Sequence, residues 1–159
     1  MEQNILNKMK GELSQARHLE NAADHIVGFM KDLYRLGREI DRINPDELDA
    51  FLKETSQLIL ELSNPLDRYL FSAEDRLLNE FYGDEWIKVC RERSSIAFFR
   101  SLYRDYVDDD WDLFMDCENF DDMLIQKGNF EGGGIDPVPK GIPASHWWWW
   151  YPQKPPGHR

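Results

Sequence analysis

Apolar residues recur at Leu6, Met9, Leu13, Ala16, Ala23, Val27, Met30 and Tyr34 in alternating steps of three and four. Glu20 occupies the one missing step, with Leu19 beside it. This spacing lays a single apolar stripe along a helix face and predicts one long first helix. Such a stripe serves a bundle core, a coiled-coil hairpin or the seam of a homodimer. Further on, "INPDELDAFL" and "SNPLDRYLF" read as parallel helix starts. In each, an asparagine stands at the N-cap and a proline at the first helical position, with acids in the first turn. The helix after Pro45 carries Leu48, Phe51, Leu52, Leu58, Ile59 and Leu62; the one after Pro65 carries Leu66, Tyr69, Leu70, Ala73, Leu77 and Phe81 and stops at Gly83. Asp84 is placed to cap a helix bearing Trp86, Val89, Cys90, Ile96, Phe99, Leu102 and Tyr106, with a kink or break expected at Ser94 and Ser95. A shorter helix is expected from Asn119 to Lys127, ending before Gly128.

No run alternates with period two, so the pattern offers no strands. The predicted fold is all-α: an antiparallel bundle of four to six helices. Composition then changes abruptly. Residues 128–159 hold six of the 10 glycines, six of the 8 prolines and four of the 6 tryptophans. Proline breaks a helical ladder and glycine costs backbone entropy. The expectation is a helical domain over 1–127 and an extended, non-helical tail over 128–159 packed on it.

With 159 residues, one domain with a real core is expected. Thirty acidic against 19 basic side chains leave a formal charge of -11. That surface repels phosphate backbones, which argues against direct nucleic-acid binding and for steering of a basic protein partner. Cys90 and Cys117 lack zinc-type spacing and make no disulfide framework. The N-terminus lacks the apolar core of a signal peptide, and no window is long enough to span a membrane. A cytoplasmic location is expected.

Nine carboxylates and no cation fill "DYVDDDWDLFMDCENFDD", residues 105–122. As a calcium loop, Asp108, Asp110, Asp112 and Asp116 match ligand positions, but Leu113 replaces the turn glycine and Asn119 the bidentate glutamate. As a helix, Asp108, Asp112 and Asp116 stack on one face. The alternatives are a solvated face with Trp111, Phe114 and Met115 turned inward, a docking face for a basic partner, and a metal site. His18 and His25 stand about 10 Å apart on a helix, too far to share a metal. No Glu-x-x-His pair, P-loop, nucleophile elbow or dinucleotide fingerprint occurs, so neither enzyme nor cofactor is expected. Size, acidity and helical build are similar in style to toxin-neutralising immunity proteins and phage-encoded inhibitors, a resemblance of type that no motif carries and from which no residue role transfers.

The tail contains "SHWWWWYPQKPP". Flanking prolines favour extended backbone, in which Trp147 and Trp149 face one way and Trp148 and Trp150 the other. Each indole buries on the order of 150–250 Å², so a fully exposed quartet would be a binding or aggregation surface. The quartet is either a strap that finishes the chain's own core or a hook that enters a partner. A mixed arrangement, one alternating pair inward and one displayed, is expected. The leading function is a non-enzymatic, acidic protein-binding module of immunity, antitoxin or inhibitor type, binding through Asp108, Asp109, Asp110, Asp112, Asp116, Trp147, Trp148, Trp149, Trp150 and Tyr151. The alternative is a helical metal-dependent hydrolase using the Asp105 to Asp122 carboxylates.

Overall fold

The computed structural model describes residues 2–17, 22–79, 86–107, 117–130, 135 and 137–151. Among them the chain is all-α, with no strand. Its helices are α1 (Glu2–Ala16), α2 (Ala22–Arg38), α3 (Pro45–Glu61), α4 (Ser63–Asn79), α5 (Trp86–Tyr103) and α6 (Glu118–Phe130). No helix among the described residues is long and apolar enough to cross a membrane.

The single long helix expected from Leu6 to Tyr34 is two helices. Lys8 pairs with Asp32 at 2.8 Å and Glu12 with His25 at 2.9 Å, so α1 and α2 fold back antiparallel. The apolar face changes phase between them. In α2 the buried residues are Ile26, Phe29, Met30, Leu33 and Leu36, whereas Ala23 and Val27 are exposed and Tyr34 is half-buried. The stripe read as a possible homodimer seam is thus largely consumed within one chain. Lys10–Glu54 and Arg17–Glu61 pair in the same order along both helices, setting α3 parallel to α1 on the other side of this hairpin.

Asn44 caps α3 as expected, its Oδ1 accepting from the backbone N–H groups of Asp46 and Glu47, with Pro45 opening the helix. The second asparagine–proline pair behaves differently. Helix α4 already starts at Ser63, placing Asn64 and Pro65 inside its first turn. Proline is tolerated there because the first turn's N–H groups have no intrahelical acceptor. Ser94 and Ser95 do not split α5, which is one helix from Trp86 to Tyr103. Helix α6 passes through Gly128 to Phe130, because glycine weakens a helix by only about 1 kcal/mol. The cap expected at Asp84 and the stop at Gly83 lie outside the described residues.

Helix α2 packs on α1, α4 and α5, and α5 also meets α3 and the tail. This central place explains why α5 buries residues around much of its circumference, from Trp86 and Cys90 to Arg93, Ser94, Ile96, Phe98 and Phe99. A buried polar latch ties it to α3: the Thr55 and Tyr103 hydroxyls meet at 2.7 Å, and Thr55 also donates to the Phe51 carbonyl.

Candidate partner-binding site

Asp108, Asp109, Asp110, Asp112 and Asp116 lie outside the described residues, as do Trp111, Phe114 and Met115. The flanks of this stretch are anchored. Tyr106 donates to Asp49 of α3 at 2.5 Å, and Cys117 and Phe120 are buried. Of the flanking acids, Asp105, Glu118 and Asp122 are exposed. Asp121 accepts two hydrogen bonds from the Arg93 guanidinium, at 2.6 and 3.1 Å. Among the described residues, no group of three or more His, Cys, Asp or Glu is arranged to hold a metal ion.

The tail reaches the bundle over the end of α2. Arg38 Nε donates to the Lys140 carbonyl at 2.8 Å. Next to it Gly141 adopts φ 85°, a left-handed conformation that side chains disfavour. A Cβ at Gly141 would stand 2.2 Å from the Arg38 carbonyl oxygen. Backbone crowds it, so no rotamer change relieves the clash. Gly141→Ala is therefore expected to cost about 2 kcal/mol from strain and overpacking, read as a lowered urea midpoint.

The tryptophans themselves are not extended. Trp147–Trp149 forms a 3-10 turn, entered by a hydrogen bond from the His146 N–H to the Pro143 carbonyl. Successive side chains then point about 120° apart rather than in opposition. As a result the neighbours Trp148 and Trp149 are both buried, at 2% and 0% exposure, while Trp147, Trp150 and Tyr151 are half-buried. The buried pair is thus two neighbours, Trp148 and Trp149, rather than the alternate residues expected from extended backbone, and Trp147 and Trp150 pack partly buried against the core.

Hydrogen bonding accounts for this choice. An indole N–H only donates, and a buried one needs an acceptor. Ser94 Oγ, wholly buried, lies 3.0 Å from Trp148 Nε1 and 2.8 Å from Trp149 Nε1. Trp148 Nε1 is also within 3.1 Å of the Cys90 carbonyl, and Cys90 Sγ donates weakly to the Trp148 carbonyl at 3.4 Å. With both hydroxyl lone pairs engaged by indoles, Ser94 donates its own proton to His146 Nδ1, 2.8 Å away. His146 is consequently neutral, with its proton on Nε2. Burial, reinforced by the nearby Arg93 charge, lowers its pKa to about 4.

Aromatic stacking completes the clamp. His146 stacks on Trp148 at 4.7 Å and meets Phe98 at 4.8 Å, while the Arg93 guanidinium covers the Trp148 ring at 4.3 Å. Trp149 stacks on Tyr34 at 6.3 Å and accepts the Ile135 N–H at its carbonyl. No known protein family, curated protein or solved structure matches this chain.

What the clamp can do follows from these bonds. A serine beside a histidine suggests a nucleophile, but Ser94 has no lone pair left for a substrate and no exposed surface. The pair serves as an anchor. Its product is the edge formed by Trp147, Trp150 and Tyr151, with Trp147 set edge-on to Tyr151 at 5.5 Å and to Trp148 at 5.7 Å. Sequence reading missed Arg93, Ser94 and His146 as the fixing residues. The available signal was the polar run Arg93-Ser94-Ser95 in a helix otherwise rich in apolar positions, with Ser94 one turn after Cys90.

Proposed function

We propose that this chain is a non-enzymatic binding protein that neutralises or recruits a basic protein. The observation that carries the reading is the half-buried edge of Trp147, Trp150 and Tyr151, fixed from behind by two fully engaged indoles. Trp and Tyr are favoured interface anchors, and an edge already held in place loses little side-chain entropy on binding. The formal charge of -11 supports a basic partner, since complementary charge accelerates encounter. An immunity protein, antitoxin or inhibitor of a nuclease-like target is the concrete form. The metal-dependent hydrolase alternative is weakened because Asp121, one of its nine carboxylates, is already neutralised by Arg93.

Affinity capture from the native host, followed by association kinetics with the captured protein, tests the reading. Trp147→Ala with Trp150→Ala should speed dissociation at least tenfold. Asp108→Asn with Asp109→Asn and Asp110→Asn should instead slow association, an effect that shrinks as salt rises because exposed charges are screened within about 8 Å at physiological ionic strength. A captured partner that is acidic, or indifferent to both sets of changes, would sink the proposal.

A further inference from the structure

An acidic protein does not ordinarily gather cations in one recess, yet this one does. A cavity of about 830 Å³ opens between α2, α4 and α5; among the described residues it is lined by Lys31, Arg38, Arg76, Lys88, Arg91 and a single carboxylate, Glu92. The placement follows from helical spacing. Val27, Lys31, Tyr34 and Arg38 succeed each other along one face of α2, and Lys88, Arg91, Glu92 and Ser95 along one face of α5. Tyr69 and Arg76, two turns apart, supply the wall from α4.

The geometry points to a binding site for a small organic polyphosphate of the nucleoside di- or triphosphate class. Among the described lining residues five side-chain cations face one carboxylate, which pairs with Arg76 at 2.8 Å and also feels the Lys31 charge. Burial pushes the Glu92 carboxyl above its usual range while Arg76 pulls it back, so Glu92 acts as an internal counter-ion. Guanidinium groups match phosphate oxygens in paired geometry, and lysines add compact charge. The Tyr34 hydroxyl is buried with no hydrogen-bond partner among the described residues. A buried hydroxyl without a protein acceptor keeps an unused donor.

Two features select the ligand. The recess has the volume of a drug-sized ligand site rather than of a bare anion, and Val27, Pro139 and the tyrosine rings give it apolar wall. A charged group on an apolar body fits both. The overall charge of -11 works against a long polyanion, whose backbone must run across the acidic surface. A small ligand inside the recess interacts chiefly with charges nearer than about 8 Å, and among the described lining residues the cations dominate. The wall residue Tyr34 also stacks on Trp149, but the site does not depend on the partner-binding proposal.

Calorimetric titration of the full-length protein with adenosine triphosphate, inorganic pyrophosphate, adenosine and a short polyglutamate peptide tests it. The expected result is saturable micromolar binding of adenosine triphosphate that weakens with salt, at least tenfold weaker binding of pyrophosphate, and none of adenosine. Lys31→Gln with Arg91→Gln, both exposed side chains, should weaken the nucleotide at least tenfold with an unchanged circular dichroism spectrum. Arg42→Gln with Lys53→Gln removes the same charge away from the recess and should leave binding within twofold. Absence of nucleotide binding overturns the proposal, as does equal loss in both double variants. Pyrophosphate binding as tightly as the nucleotide, or the acidic peptide binding in preference to it, overturns the ligand assignment.

Discussion

Trp149→Ala and Trp148→Ala are each expected to destabilise the protein by about 3–5 kcal/mol, the range for deleting a large buried aromatic. In a domain of this size that corresponds to a melting temperature lower by roughly 6–20 °C. The indoles sit at 0% and 2% exposure against Tyr34, Arg93 and His146, itself held against Phe98, so the vacated volume is walled by side chains that cannot all follow. Either change also leaves Ser94 short of a donor in a buried place, which adds to the cost. Trp147→Ala and Trp150→Ala remove rings that are only half-buried, and each should cost on the order of 1 kcal/mol. Paired thermal melts of the four single variants check this. Four equal effects would mean that the tail does not divide into anchor and edge, and the proposed partner-binding edge would go with it.

Period and capping chemistry made the helices legible in the sequence, because burying an apolar stripe is what chiefly stabilises each of them. They failed where two local signals gave the same spelling. Asn44–Pro45 and Asn64–Pro65 look alike, but Leu62 leads directly from α3 into α4, leaving the second pair in the first turn rather than at its boundary. The stripe from Leu6 to Tyr34 skips a beat near Glu20, and the phase change there marks the join between two helices. A stripe's continuity holds along one axis only, and it lapses when the chain folds back.

The site was less legible, for a physical reason. Alternation in the tryptophan quartet assumed extended backbone, whereas the backbone follows the acceptors that buried indoles need. Those acceptors, Ser94 and the Cys90 carbonyl, lie more than fifty residues away in the chain. The cationic recess was hidden in the same way. Lys31, Arg76 and Arg91 are ordinary residues on their own helices and become a cluster only once α2, α4 and α5 pack. Local pattern determines which faces are buried, while sites made by three helices are a property of the packing.

Acidification provides the sharpest probe of the clamp, and its sign can be worked out in advance. His146 titrates near 6.5 when unfolded and at about 4 in the folded protein. Above 6.5 both states are neutral and its contribution is complete. Between the two values the unfolded chain takes up a proton that the folded chain refuses, so stability falls as pH falls. The slope is about 1.4 kcal/mol per pH unit, and the whole window is worth about 3 kcal/mol. Below the folded value the loss is complete. Glu92, whose carboxyl is raised by burial, works in the opposite direction, so the test must be differential. His146→Gln retains an acceptor for the Ser94 hydroxyl and cannot be protonated in this range. The variant should be less stable at pH 7, yet the gap to the parent protein should close as pH is lowered from 6.5 to 4, measured by urea unfolding at each pH. Stability curves that stay parallel across that interval would mean His146 is not the buried neutral acceptor that Ser94 and its two indoles require.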